Sequence, residues 1–221
     1  LLMGDLSTPL FQMQQPLNQV PRGEILYLPA ARTGFVLMRK VLASGLLGMG
    51  GGDALPLNMP TRRFVQRLLS LTHSTQGKYA PIARRLEAEI LHGEVRPDAA
   101  PLPDYQYRPE GGKTEPIPLW LSSSLVTELT PFLMFLHSKE DFRSLIIEEP
   151  EAHLHLELQS RLARILARLV NAGLPVWITT HGDSFFQQIS NLVKASGLPK
   201  QDLEQLGIEK DEALSPQDVG A

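Results

Sequence analysis

The stretch LIIEEPEAHLH, from Leu145 to His155, decides the fold of this chain. Its first three residues are apolar without alternation, which is typical of a strand buried on both faces of a sheet. Two acidic residues, Glu148 and Glu149, follow that strand directly. Ligands of parallel α/β sheets bind just beyond the carboxyl ends of the strands, so this acidic pair lies where a site is expected.

A second strand and two helices are predicted after this stretch. Apolar residues recur on one face of residues 157–171, and Gly173 stands where glycine commonly ends a helix. The run VWITT, residues 176–180, predicts another buried strand, and a helix is expected over residues 184–195. This order of strands and helices predicts a right-handed crossover and a parallel sheet.

Polar residues at the ends of these two strands are expected to meet. Glu148 and Glu149 follow the first strand, and His181 follows the second. Two carboxylates and an imidazole at one edge of a sheet can hold a hard cation and orient a water molecule. Polar residues are also ordinary at strand ends, so the residues alone leave both interpretations open.

The residues before the acidic stretch predict a more varied arrangement. Residues 1–24 predict loops with one short helix. Much later in the chain, a serine triplet, Ser122, Ser123 and Ser124, is expected to cap a helix because its hydroxyls can satisfy free amides. The other predicted elements are a strand at 24–28, a helix at 35–47, a glycine-rich break at 48–52, a helical insertion at 61–95 that ends near Gly93, a hairpin at 96–121 and the serine-capped helix at 122–137.

Composition limits the classes of function. The chain has 221 residues, a 43% apolar fraction and no cysteine, which excludes disulfides and thiolate metal sites. A formal net charge of −3 argues against a basic footprint for nucleic acid over the whole chain. No apolar run is long enough to span a bilayer, and the first residues lack the features of a signal peptide. A cytoplasmic protein without membrane contact is the simplest expectation.

Several motifs together resemble a known family. The stretch 145–155 resembles the Walker B and D-loop segment of ABC-type ATPases, most closely the soluble branch of RecF-like, SMC-like and overcoming-lysogenization-defect (OLD) ATPases. TTH at 179–181 resembles the switch region of that family, and SSSLVTEL at 122–129 lies where the family carries its signature motif. YLPAAR at 27–32 also resembles a recurrent segment of this branch, and the resemblance covers residues 25–193.

The resemblance implies a role for each motif residue. Glu148 would hold Mg²⁺, although most relatives have aspartate there, and Glu149 would polarise the attacking water. His181 would contact the γ-phosphate of ATP and couple it to the opposite subunit. The signature triplet, Ser122, Ser123 and Ser124, would meet the γ-phosphate of the nucleotide that the partner subunit holds.

One motif of the family is missing from the sequence. The Walker A loop, Gly-x-x-x-x-Gly-Lys-Ser/Thr, cradles the phosphates with its backbone amides. GGKT at 111–114 imitates its end, but Arg108 replaces the first glycine and the segment lies at a predicted hairpin tip. We therefore expect residues 1–221 to be a partial domain, internal to a longer protein that supplies Walker A upstream, and this chain to be inactive alone.

The resemblance implies an α/β fold of the P-loop NTPase class, ABC-ATPase-like, with a mainly parallel sheet, a helical insertion and a segment from Walker B to the switch at 142–196. The implied function is ATP binding and Mg²⁺-dependent hydrolysis that closes a homodimer or higher oligomer, in DNA repair or antiviral (phage) defence. DNA or a partner effector protein is left open as a further partner.

Two alternatives from other classes stay open. One is an interaction module that keeps the fold without hydrolysing ATP. The other is a metal-dependent hydrolase or nuclease, whose candidate ligands are Glu148, Glu149, His153, His155 and His181.

An arginine stripe lies on the predicted helix 157–171. Arg161, Arg164 and Arg168 lie opposite its apolar face, where a solvated surface is the usual explanation and contact with DNA the less common one.

Overall fold

The computed structural model of the protein describes residues 10–13, 24–48, 57–100, 103–111 and 115–220. In these residues the strands are β1 (Leu10–Met13), β2 (Ile25–Leu28), β3 (Gly93–Pro97), β4 (Tyr105–Pro109), β5 (Ile117–Pro118), β6 (Ser144–Glu148) and β7 (Val176–Thr179). The α-helices are α1 (Arg32–Leu37), α2 (Arg39–Gly48), α3 (Met59–Ser70), α4 (Ala80–Leu86), α5 (Ser124–His137), α6 (Leu156–Asn171), α7 (Asp183–Ala195) and α8 (Lys200–Gln205). None of the described helices combines the length and the apolar character needed to cross a bilayer.

The described chain divides into two units. The first contains the described parts of Leu1–Ile25 together with Arg143–Glu151 and His155–Ala221. The second contains Leu26–Phe142 and Ala152–Leu154. Each unit is described separately below.

The sheet of the first unit carries the acidic stretch. Strand β6 pairs in parallel with β7, in a register that places Leu145 opposite Val176 and Glu148 opposite Thr179. Leu145, Ile147, Val176 and Ile178 are at most 1% exposed, as the unbroken apolar runs predict.

Strand β1 pairs antiparallel with the other edge of β7. The prediction of loops and a short helix before residue 24 is therefore wrong at Leu10–Met13, since pairing with β7 and not a local pattern makes this segment a strand.

Helix α6 buries the apolar stripe that its sequence predicts. Leu162, Ile165, Leu166 and Leu169 are fully buried, and the helix packs against α7. Burying each such side chain contributes about 1.5–3 kcal/mol. The helix stops at Asn171, and two residues later Gly173 has a φ of +83°, while the amide of Leu174 donates back to the carbonyl of Leu169 at 3.0 Å. Glycine adopts this left-handed backbone without a steric penalty, so the predicted helix end is confirmed.

The arginine stripe of α6 is not a uniformly solvated face. The Arg168 side chain is only 3% exposed, and its Nη2 atom lies 2.8 Å from Glu212 Oε1 and 3.1 Å from Glu209 Oε1. Arg164 donates to the carbonyl of Gly207 and lies 3.5 Å from Glu212. The solvated-face prediction is wrong for Arg168, because an acidic segment 40 or more residues later folds back onto the helix and neutralises it.

The second unit corrects the boundaries of two predicted elements. Helix α4 continues as a π-helical turn, Glu87–Leu91, and His92 then adopts a φ of +49°. Gly93 does not end a helix; it begins β3, in a three-stranded antiparallel sheet ordered β3-β4-β5. A Cβ atom at Gly93 would lie 2.5 Å from the carbonyl oxygen of Arg108, so only glycine allows this strand pairing.

The helical insertion predicted at 61–95 therefore gives way to a strand at Gly93, and the hairpin predicted at 96–121 is part of a larger sheet. Strands β4 and β5 pair antiparallel on either side of the GGKT segment, 111–114, of which residues 112–114 lie outside the described residues. A P-loop instead joins a strand to a helix, so this setting does not suit one.

Candidate functional site

Glu148 and Glu149 stand at the carboxyl end of β6. Glu148 is the last residue of the strand and is half-buried. Glu149 follows, and its amide donates to the carbonyl of Thr179 at 2.9 Å, which extends the β6–β7 pairing by one residue. The φ of Glu149 is +42°, a backbone conformation that is uncommon for residues other than glycine. Such strain costs about 1–3 kcal/mol and is concentrated at functional sites.

His181 lies beside Glu149. It comes two residues after the end of β7, and its Nε2 atom is 3.6 Å from Oε1 of Glu149. Both side chains reach solvent, with 67% of His181 and 41% of Glu149 exposed. This proximity agrees with the expectation that neighbouring parallel strands bring the two polar clusters to one edge. An accessible carboxylate next to an imidazole can orient a water molecule and accept its proton.

A buried carboxylate adjoins this pair and was not among the predicted site residues. Glu151 is 8% exposed and accepts a hydrogen bond from the hydroxyl of Thr180, which is itself 7% exposed. The Thr180 oxygen accepts in turn from the amide of Gly182 at 3.0 Å. In the sequence, the only signal for this contact is that both residues lie inside the two motifs.

The serine triplet belongs to the second unit, at the start of α5. Ser123 caps the helix, since its Oγ accepts from the amide of Val126 at 3.4 Å. The hydroxyl of Ser122 donates to the carbonyl of Pro118 at 3.1 Å, and both Ser123 and Ser124 are exposed. An exposed helix start offers free amides and the positive end of the helix dipole, which together attract phosphate groups.

Helix α5 is held by a buried ion pair. The guanidinium of Arg32 contacts the carboxylate of Glu128, and their side chains are 1% and 3% exposed. The hydroxyl of Thr33 also donates to Glu128. These contacts join the first turn of α1 to the second turn of α5, just behind the serine triplet.

The candidate ligands of the hydrolase alternative do not form a metal site. In the described parts of the chain, no three His, Cys, Asp or Glu side chains are grouped so that they could hold a metal ion. A Mg²⁺ ion at a nucleotide needs less from the protein, because one or two carboxylates suffice when phosphate oxygens and water complete its shell. The half-buried Glu148, with Glu149 next to it, suits that smaller demand.

A family model described as an AAA ATPase domain matches residues 69–186, more than half of the chain. The matched region contains the serine triplet, both strands of the parallel pair and their acidic and histidine ends. No curated protein matches the chain. AAA ATPase domains have the α/β fold of P-loop NTPases, bind ATP and hydrolyse it, usually with Mg²⁺. The chain belongs to the AAA ATPase domain family.

Proposed function

We propose that this chain carries the residues that hydrolyse ATP in an ATPase of the soluble RecF/SMC/OLD-like branch. The observation that carries the proposal is the strained Glu149, which lies 3.6 Å from His181 at the ends of adjacent parallel strands. A carboxylate held in an unfavourable backbone conformation at the carboxyl edge of a sheet is better explained by a chemical role than by folding alone.

Each residue at this edge takes a distinct role. Glu149 accepts a proton from the attacking water through its exposed carboxylate, and His181 donates a hydrogen bond to the γ-phosphate of ATP. Glu148 would hold a Mg²⁺ ion, which would supply positive charge to the phosphates of ATP. The solvent exposure of Glu149 and His181 supports this assignment, because water and phosphate must reach both side chains.

The serine triplet is proposed to act on a second nucleotide. Ser123 and Ser124 are exposed at the start of a 14-residue helix, a setting suited to a phosphate group. In the proposed mechanism they meet the γ-phosphate of ATP held by a partner copy, so that ATP binding closes a homodimer. The motif resemblance at residues 145–155 and 27–32 supports DNA repair or phage defence as the setting.

The test compares this 221-residue chain with the full-length protein, in which we propose that a Walker A loop lies upstream of residue 1. The chain has no Walker A pattern, so we expect calorimetry to show no micromolar binding of Mg-ATP by the chain alone. The full-length protein should bind Mg-ATP and release phosphate. Micromolar binding by the isolated chain would contradict the assignment of its residues to a site that needs a separate Walker A loop. A full-length protein that binds its partners but never hydrolyses ATP would favour the interaction module.

A further inference from the structure

The residues around His181 are anchored by a buried hydrogen-bond chain. Glu151 lies in the turn after β6, and its Oε1 atom accepts from the hydroxyl of Thr180. The same hydroxyl oxygen accepts from the amide of Gly182 at 3.0 Å. The chain of contacts therefore holds the residue before His181 and the residue after it, and it connects both to the turn that carries Glu149.

This anchor matters because His181 has little packing of its own. Two thirds of its side chain is solvent-exposed, at 67%, so neighbouring side chains restrict its position only weakly. Glu151 and Thr180, by contrast, are 8% and 7% exposed. A hydrogen bond to a buried carboxylate is strong, since the acceptor is charged and water competes little for it. The hydrogen-bonded backbone at 180–182 is therefore a restraint on His181 that side-chain packing does not supply.

The second carboxylate oxygen of Glu151 points to a role beyond folding. Oε2 is buried and has no hydrogen-bond partner among the described residues. Leaving such an oxygen without a partner is unfavourable, and an apolar residue at this place would avoid the cost. A glutamate is therefore an unfavourable residue for this buried position. Its hydrogen bond is with Thr180, the residue next to His181.

We propose that Glu151 and Thr180 are positioning residues, which set the place of His181 beside Glu149 and so couple the turn after β6 to the end of β7. The inference deepens the proposed ATPase function and rests on it, since the position of His181 affects turnover only if the site hydrolyses ATP. Neither residue touches the reacting atoms; both act through His181.

Gly182 offers a matched control within the same segment. A Cβ atom there would lie 3.4 Å from Oε1 of Glu151 and 3.6 Å from the Thr180 oxygen, which is ordinary contact distance. Its φ of −93° and ψ of +105° suit any residue. Gly182→Ala therefore keeps the amide, both hydrogen bonds and the backbone, and should leave turnover and the KM for ATP near the parental values.

The kinetic test uses the full-length protein. Thr180→Val removes the hydroxyl and nearly preserves the side-chain shape, whereas Thr180→Ser keeps the hydroxyl. We expect Thr180→Val to lower kcat about tenfold, which is a typical loss when a residue that orients a site residue is removed. The KM for ATP should stay within about twofold of the parental value. Thr180→Ser should stay within about twofold of the parent in both values. Equal losses in both variants, or parental turnover in Thr180→Val, would overturn the inference.

Glu151 is tested with a double-mutant cycle. Glu151→Leu removes the acceptor at similar volume and should resemble Thr180→Val. Because both changes break one chain of contacts, the double variant should turn over no more slowly than either single variant. Multiplied losses in the double variant would show independent effects and contradict a shared positioning role.

A readout without ATP separates this inference from the proposed function. Hydrogen exchange of the Gly182 amide, followed by NMR, should speed up about three- to tenfold in Thr180→Val, because its acceptor is gone. Thr180→Ser should exchange like the parent. If the Gly182 amide exchanges at the parental rate in Thr180→Val, the proposed link between Thr180 and the backbone at Gly182 is refuted, even when the enzyme is active. Faster exchange in a full-length protein that never hydrolyses ATP would uphold the link and reject the ATPase instead.

Discussion

The Nε2 atom of His181 lies 3.6 Å from Oε1 of Glu149, although 32 positions separate the two residues in the sequence. Parallel pairing of β6 with β7, continued by the hydrogen bond from the Glu149 amide to Thr179, brings them together. Both side chains face solvent at the edge where ligands of α/β sheets bind.

Glu149→Gln in the full-length protein tests the proposed water-activating residue. Glutamine keeps the shape but cannot accept a proton as a carboxylate does, so single-turnover hydrolysis should slow by about 10²–10⁴-fold. Binding of Mg-ATP should persist, and light scattering should show accumulation of a closed dimer. Glu204→Gln, at an exposed carboxylate on α8, is the control and should hydrolyse ATP normally. A parental rate in Glu149→Gln would remove Glu149 from the mechanism.

Ser123→Ala tests the cap of α5. The change removes the acceptor for the Val126 amide, so the free energy of unfolding should fall by about 1 kcal/mol. Ser123→Asp should restore most of it, since aspartate also caps helices well. Ser124→Ala is the matched control, because the capping contact comes from its neighbour. Chemical denaturation measures all three, and a larger loss in Ser124→Ala than in Ser123→Ala would contradict the observed cap.

Glu128→Ala tests the buried ion pair behind the serine triplet. The change leaves the guanidinium of Arg32 buried without its carboxylate, which should lower the free energy of unfolding by about 3–5 kcal/mol. Glu204→Ala removes an exposed partner of Lys200 and should change stability little. If denaturation midpoints of the two variants coincide, the pair does not hold α5.

Glu87→Gln tests a buried carboxylate in the second unit. Burial raises the pKa of Glu87, but hydrogen bonds from His137 and Arg96 and the charge of Arg96 outweigh it, so its pKa lies below the ordinary 4.5. A depressed folded-state pKa means that the ionised group stabilises the fold above the unfolded pKa. That contribution is lost as the pH falls through the folded value. The loss of stability in Glu87→Gln should therefore be largest near neutral pH and shrink below a pH of about 4.5.

The neighbourhood of Glu87 supplies the control for this pH dependence. Arg96 contacts Glu87 at 2.6 Å and also the exposed Glu94 at 3.2 Å. Glu94→Gln should change stability little at any pH, because solvent screens this exposed pair. The pKa of His73 is also affected by this group of charges: burial lowers it most, followed by the charges of Arg96 and His137. Denaturation curves of the parent and of Glu87→Gln from pH 3 to 8 measure this dependence. A difference in the free energy of unfolding that stays constant over this range would refute the prediction.

Local patterns in the sequence were sufficient for the elements near the site. The unbroken apolar runs predict β6 and β7, and the periodic leucines with Gly173 predict α6 and its end. The order of these elements predicts their parallel pairing, and with it the proximity of Glu149 and His181. Such predictions succeed because strand burial, helix periodicity and capping depend on residues close together in the chain.

Only the tertiary structure decided the features that depend on distant contacts. Strand β1 exists because β7 offers it an edge, and Arg168 is buried because Glu209 and Glu212 fold back onto α6. The contact from Thr180 to Glu151 likewise joins two loops that lie far apart in the sequence. The two partners of each contact lie far apart in the sequence, so no short segment contains both. The contacts stabilise the protein only after the packed fold brings the partners together.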